Sequence, residues 1–346
     1  MSAVSDQLVT FAILVYLVAM ISHAVEYALG NVRAVAARVA PARELVGAGV
    51  GAVGAAGAGG AGVDKVDGPV AGDAAGAPPV GATPPSIRPS RSAGRARLAG
   101  RIAAGLTVLA AALHLGALVT RGIAADRMPW GNMYEFVLTV TWIGTAAWLV
   151  VLWKRPALRR LGLFLTLVMV LLLAFAELKL YVQVVPLMPA LQSYWFIIHV
   201  STIVFSSGIF LLGVVPAVSF LLRNGYEQGR RSFPYTLARR LPGAADLERL
   251  TFALHAFAFP IFTFAVIAGA IWAEAAWGRA WGWDPKETWA FISWVVYAGY
   301  LHARATPSVK RNVATWIAVL GFLTVLMNLF GVNFFFTGLH SYAGVN

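Results

Sequence analysis

Apolar residues fill most of this chain in blocks of about 20, separated by short stretches that carry arginine, lysine, glycine and proline. A helix of that length crosses the roughly 30 Å hydrocarbon core of a bilayer. The blocks predict eight transmembrane helices, at residues 8–29, 102–122, 134–153, 161–180, 194–222, 251–273, 288–303 and 313–334. We therefore predict an all-α, polytopic membrane helix bundle with both termini on the same side.

The first block and the sequence that follows it divide the chain. Residues 8–29 contain Glu26 and lack the basic n-region and cleavage site of a signal peptide, so we expect a retained helix. Residues 47–89 are mostly Gly, Ala, Val and Pro, a composition typical of flexible linkers. We predict an N-terminal transmembrane helix at 1–30, a cytoplasmic linker at 31–101 and a seven-helix membrane domain at 102–346.

Charge sets the orientation of the bundle. Hydrophobic residues make up 59% of the 346 and charged residues 12%, with a net charge of +12. Of the 27 lysines and arginines, 22 follow the first, third, fifth and seventh predicted helices. By the positive-inside rule these loops are cytoplasmic, and both termini lie on the extracytoplasmic side of the cell membrane. The basic residues form short clusters between apolar blocks, so we expect a lipid bilayer and no nucleic acid as partner.

The chain contains no cysteine. It therefore forms no disulfide, thiolate metal site or thiol nucleophile of its own. Any thiol chemistry must come from a partner.

The predicted topology makes four of the six histidines candidates for a functional site. His199 lies near the outer end of the fifth predicted helix, and His340 follows the outer end of the eighth. Two neutral imidazoles on opposite sides can ligate haem iron axially. His302 and His23 share a level in the inner half of the membrane, where ionisable groups are functional candidates. We expect the remaining two to pack and to bond backbone carbonyls: His114 and His255.

The most unusual stretch is "WAEAAWGRAWGWDPKETW" at residues 272–289, with five tryptophans in 18 residues. A tryptophan belt at a membrane interface accounts for one or two of them. "DPKET" predicts a helix start with Asp284 at the N-cap, Pro285 at N1 and Glu287 at N3. Trp289 then lies on the seventh helix. The alternative interpretation is an interface belt whose charged residues cap the helix and contact lipid headgroups.

Three tryptophans before that helix start are available to form a surface: Trp277, Trp281 and Trp283. Their rings suit offset stacking on a large, flat conjugated ligand. Arg279 and Lys286 could pair with acidic substituents of that ligand. The residues alone indicate an outward-facing site for a ligand such as haem.

The longer string "WAEAAWGRAWGWDPKETWAFISWVVYAGYLHAR" closely resembles the WWD signature of haem-handling membrane proteins, specifically the CcsA (ResC-like) component of System II cytochrome c synthesis. The resemblance extends to "MPWGNMYEF" at 128–136, "SYWFIIHV" at 193–200 and "GVNFFFTGLHSYA" at 331–343, and covers most of the chain from about residue 105. The family commonly has Asn-Glu where this chain has Glu274-Ala275, and an aromatic residue where it has Ala280. These departures do not favour Glu274 or Ala280 as contacts.

The resemblance implies haem b as the ligand. It implies that His199 and His340 are the outer axial ligands of its iron. His302 would ligate a haem on the cytoplasmic side, paired with a histidine of a CcsB/ResB-like subunit or with His23. The resemblance also implies five haem contacts: Trp277, Trp281, Trp283, Asp284 and Trp289.

The implied function is that of a haem-handling subunit of a cytochrome c synthase. Haem would cross the membrane and be presented to the CxxCH thiols of apocytochrome c, which a thiol-reducing protein keeps reduced. Orientation of the reactants is the main catalytic contribution, and no residue is assigned as catalytic, with Asp284 and Glu287 as acid–base candidates only. Two alternatives remain at this point: a haem transporter without ligation chemistry, and a b-type electron-transfer subunit.

Overall fold

The computed structural model describes residues 2–30, 91–185 and 192–339. Its eight long helices match the predicted blocks one for one: α1 (Ser2–Leu29), α2 (Arg91–Ala125), α3 (Met133–Lys154), α4 (Gly162–Phe175), α5 (Tyr194–Glu227), α6 (Ala244–Trp277), α7 (Pro285–Ala305) and α8 (Arg311–Leu326). These described ranges contain no strand. The predicted all-α fold is confirmed.

Seven helical segments in the described ranges are long and apolar enough to cross a membrane. They are α1, Ser92–Ala125, α3, Pro156–Leu180, α5, α6 and Arg311–Phe335. The last of these adds a π-helical turn (Met327–Gly331) and a short helix, α9 (Val332–Phe335), to α8. The exception is α7, which forms where predicted but has charged residues in its first and last turns. The polytopic bundle is confirmed, and the placement of both termini on one side stays a prediction.

Several helix ends differ from the sequence prediction. α2 begins at Arg91 and not at 102, so the predicted linker is helical from 91 to 101. α6 begins at Ala244 and not at 251, and α5 continues to Glu227. Apolar blocks end where the bilayer ends, whereas a helix of 34 residues is about 51 Å long at 1.5 Å per residue and extends into water. The rest of the predicted linker, 31–90, lies outside the described residues.

The central helix of the bundle is α5, half of whose residues are buried. It packs against α6, α3 and α8, while α1 packs along α2 and against α4. Close approach to α3 requires Gly208, where an added Cβ would lie 2.9 Å from the Val140 carbonyl oxygen. Such small residues let membrane helices approach closely. α5 is therefore a rigid support for the residues near its N-terminal end.

A buried charge network fixes the loop between α2 and α3. Glu135 is fully buried and accepts hydrogen bonds from Arg121 Nε (2.9 Å), Arg127 Nη1 (2.6 Å) and the Gly131 backbone N–H (2.8 Å). Arg121 Nη1 also lies 3.6 Å from Asp6 Oδ1 of α1. The network ties α1, α2 and α3 to the short loop at residues 130–132.

Candidate functional site

A cavity of about 200 Å³ lies between α3, α5, α6, α7 and the π-helical turn after α8. Four of the predicted site residues line it: His199, Trp277, Trp281 and Lys286. The remainder of the wall is mainly apolar and aromatic. The structure therefore brings together a histidine, two tryptophans and a cation that are up to 87 positions apart in the sequence.

His199 lies on α5 and faces α6. Its Nδ1 is 2.8 Å from the Ala265 carbonyl oxygen, and its ring stacks near Trp272 with a centroid distance of 6.0 Å and an interplanar angle of 19°. An added Cβ at Gly269 would lie 2.6 Å from His199 Cε1, so a glycine is needed there. Donation of the Nδ1 proton to a carbonyl places the lone pair on Nε2, the arrangement found in metal-binding histidines.

Two tryptophans of the wall were not predicted as site residues. Trp272 is buried beside His199 and packs on Trp277 at 5.0 Å. Trp130, from the loop that Glu135 holds, lines the cavity on the α3 side. A signal for the α6 wall was present in the sequence, since small residues recur every fourth position at 265, 269 and 273. That spacing marks one helix face that another helix can approach closely.

Residues 278–284, which we call the tryptophan loop, connect α6 to α7. Gly278 ends α6 with φ +70°, a left-handed conformation suited to glycine. Trp281 contacts Trp283 edge-on at 5.7 Å. Trp283 itself has φ +57° and is 67% exposed. Strain of this kind, carried by an exposed tryptophan, is common at functional sites.

The helix start predicted from "DPKET" is confirmed. The Asp284 carboxylate accepts a hydrogen bond from the Lys286 N–H, and Glu287 Oε2 accepts from Gly282 N (2.8 Å) and Asp284 N (3.1 Å). Asp284 Oδ2 also accepts from the Leu339 N–H at 2.8 Å. This bond brings the chain that leads to His340 against the tryptophan loop; His340 itself lies outside the described residues. 

Lys286 lies at the cavity wall, before the predicted membrane segment 288–303. Its Nζ donates to the Asn328 carbonyl oxygen at 3.2 Å, and Asn328 Nδ2 donates to the Lys286 carbonyl at 3.3 Å. Burial lowers the pKa of Lys286 from its ordinary 10.5 to about 8. A largely desolvated ammonium in an apolar wall suits a carboxylate ligand.

The other predicted outer residues lie beside the cavity and do not line it: Trp283, Asp284, Trp289 and Arg279. Arg279 extends over Gly282, where an added side chain would collide with its guanidinium. Trp289 is half-buried on the first turns of α7. These residues form the rim and the support of the site.

The inner histidines lie in different surroundings. His302 is exposed on α7, whereas His23 of α1 is buried, with Nδ1 3.5 Å from Glu26 Oε2. An added Cβ at Gly162 of α4 would touch the His23 ring, so His23 faces α4. His255, expected to be a packing residue, is buried with Nδ1 2.8 Å from the Thr251 carbonyl oxygen.

Comparison with known proteins gives consistent results. The family model for "Cytochrome C assembly protein" matches residues 130–340. The chain is 35% identical over 258 residues to a cytochrome c biogenesis protein CcsA of Guillardia theta, covering 70% of this chain and 85% of that protein. It is 31% identical over 299 residues to the protein of that name from Gloeobacter violaceus, covering 72% and 88%. The family match contains the whole cavity wall.

Proposed function

The chain belongs to the CcsA-type cytochrome c assembly proteins, and on that basis we propose that it binds haem b in the cavity and presents it to apocytochrome c. Members of this family act in cytochrome c maturation, in which haem is the substrate. The multi-pass helix bundle gives the membrane context. The observation that carries the proposal is the combination of His199, the tryptophan rings and the partly buried Lys286 around one cavity.

The cavity suits one part of a haem. Its volume of about 200 Å³ is below the roughly 300–1,000 Å³ of pockets that enclose a drug-sized ligand. A flat macrocycle would therefore enter on one side and keep part of its edge outside. Lys286 would pair with a propionate within the wall, and Arg279 with acidic groups at the rim. The edge left outside would be accessible to the apocytochrome.

The iron would be held by His199 and His340. His199 is oriented by its bond to the Ala265 carbonyl oxygen, and the chain leading to His340 is held by Asp284. The tryptophans of the loop would contact the macrocycle, with Trp277 and Trp281 in the wall and Trp283 and Trp289 at the margin. We place this loop on the outer face of the plasma membrane, following the distribution of lysine and arginine.

A second haem position is proposed on the inner side, at His302. Because His302 is exposed on α7, its imidazole is accessible to a histidine of another membrane subunit. We therefore propose a CcsB/ResB-like partner for it. His23 is less suited to this role, since it is buried against α4 and paired with Glu26.

Attachment is an addition reaction. Each cysteine thiol of the CxxCH motif adds across a haem vinyl group: the S–H bond and the vinyl π bond break, and one S–C and one C–H bond form, with no leaving group. The thiols must be reduced, which requires a thiol-reducing protein because this chain has no cysteine. The contribution of this chain is to hold the vinyl groups near the thiols in a fixed orientation.

The test is an absorption spectrum of the protein purified with its partner subunit under ample haem. The wild type is expected to show a low-spin, bis-histidine haem, and His199→Ala and His340→Ala to convert it to high spin, with recovery on addition of imidazole. Trp316→Ala, at an exposed tryptophan of α8 outside the cavity wall, serves as control. A wild type without haem, or an unchanged spectrum in both histidine variants, would refute the proposal.

A further inference from the structure

We propose that Asp284 is a positioning residue that holds the chain before His340 against the tryptophan loop, and that it does not contact haem. The inference rests on the proposed function, because it assigns Asp284 to the placement of the second axial ligand. Asp284 is buried and does not line the cavity. Its carboxylate instead joins two segments that are 55 positions apart in the sequence.

The two carboxylate oxygens of Asp284 have separate roles. Oδ1 accepts from the Lys286 N–H at 3.1 Å and caps α7. Oδ2 accepts from the Leu339 N–H at 2.8 Å. Hydrogen bonds to a buried carboxylate are stronger than those between neutral groups. Capping alone would need one oxygen, and the second accepts a hydrogen bond from the segment that precedes His340.

Gly338 provides an independent observation for the same contact. A Cβ added to Gly338 would lie 2.5 Å from Asp284 Oδ2 and 3.2 Å from Pro285 Cδ. With any other residue, either the backbone or the Asp284 carboxylate would have to move, so glycine permits the close approach. Leu339 is directly followed by His340, whose Cα lies about 3.8 Å along the chain. A bond at Leu339 therefore restricts where His340 can reach.

The substitution Asp284→Asn separates capping from positioning. Asparagine caps a helix about as well as aspartate, but it has one acceptor oxygen in place of two. We expect α7 to remain folded while haem affinity falls about 10–100-fold, as is usual when a group that orients a ligand is lost. The spectrum is expected to shift toward high spin and to recover with imidazole. Asp246→Asn, the same change at an exposed acid in the first turn of α6, is the matched control.

A second measurement does not depend on haem. Because the chain has no cysteine, nitroxide labels can be placed only at Glu274→Cys and Thr337→Cys, two exposed positions of the described chain. Their distance distribution, from double electron–electron resonance, is expected to be narrow in the otherwise wild-type protein and broad with Asp284→Asn or Gly338→Ala. Gly105→Ala is the control, since an added Cβ there meets nothing within 4 Å.

The outcomes separate the two proposals. An unchanged distance distribution in both variants would overturn the positioning role, whatever the haem spectrum shows. A broadened distribution together with an unchanged spectrum in His340→Ala would support positioning of this segment and refute His340 as the ligand. Broadening together with a high-spin shift that imidazole reverses is the result we expect.

Discussion

Replacement of Glu135 by alanine is expected to destabilise the folded protein by about 3–5 kcal/mol, the usual cost of removing one partner of a buried ion pair. Arg121 and Glu135 are both fully buried. Without the carboxylate, the Arg121 guanidinium would retain the Val182 carbonyl oxygen and a carboxylate oxygen of Asp6 at 3.6 Å, which is too distant for a hydrogen bond. The buried guanidinium would then keep Asp6 as a more distant ionic partner and lose the carboxylate that accepts its hydrogen bond.

The free energy of unfolding can be measured in mixed micelles by denaturant titration, followed by circular dichroism. Glu227→Ala is the matched control, since Glu227 is half-exposed and pairs with Arg223 four residues earlier on α5. Its expected cost is below about 1 kcal/mol. Addition of Arg121→Met to Glu135→Ala should recover part of the lost stability, because the buried guanidinium that lost its hydrogen-bonded carboxylate is then absent. A cost for Glu135→Ala as small as that of the control would refute this reasoning.

Three further predictions concern the cavity. Because Lys286 is charged below its pKa of about 8, haem affinity in equilibrium titrations is expected to fall as pH rises through about 8. Without haem, the free energy of unfolding should rise between pH 8 and 10.5, because Lys286 is protonated in the unfolded chain and neutral in the folded protein over that range. Both pH dependences should be absent in Lys286→Met. Their persistence in that variant would exclude Lys286 as their source. Gly269→Ala should displace His199 and lower haem binding, in contrast to Gly105→Ala; equal spectra for the two would contradict this. Trp283→Gly should leave thermal stability intact, because glycine tolerates its positive φ, yet reduce cytochrome c yield on co-expression; full yield would exclude a role for the indole.

Local features of this site could be predicted from the sequence. The capping box at Asp284 depends on residues within four positions of each other, and the structure has it as predicted. The apolar blocks located every long helix because the composition of a helix is also a local property of the sequence. Helix ends were predicted less accurately, because an apolar block marks the part of a helix that lies in the bilayer and not the polar turns that extend beyond it.

Long-range pairings could not be predicted in this way. The stacking of His199 near Trp272 joins residues 73 positions apart in the sequence, and the hydrogen bond from Leu339 to Asp284 joins residues 55 positions apart. No periodicity encodes such pairs, since they depend on how complete helices pack. The residues of the signature were recognisable by resemblance, but their division between the cavity wall and its rim required the structure.

The partial enclosure of the cavity affects how long a ligand stays bound. Binding strength from apolar contact grows with the area removed from water, at roughly 25 cal/mol per Å², and differences in affinity between related complexes reside mainly in the dissociation rate. A macrocycle that a cavity of about 200 Å³ covers on one side therefore has a shorter residence time than one enclosed on all sides. Under the proposed function, in which this protein passes its haem to apocytochrome c, rapid release favours turnover over storage.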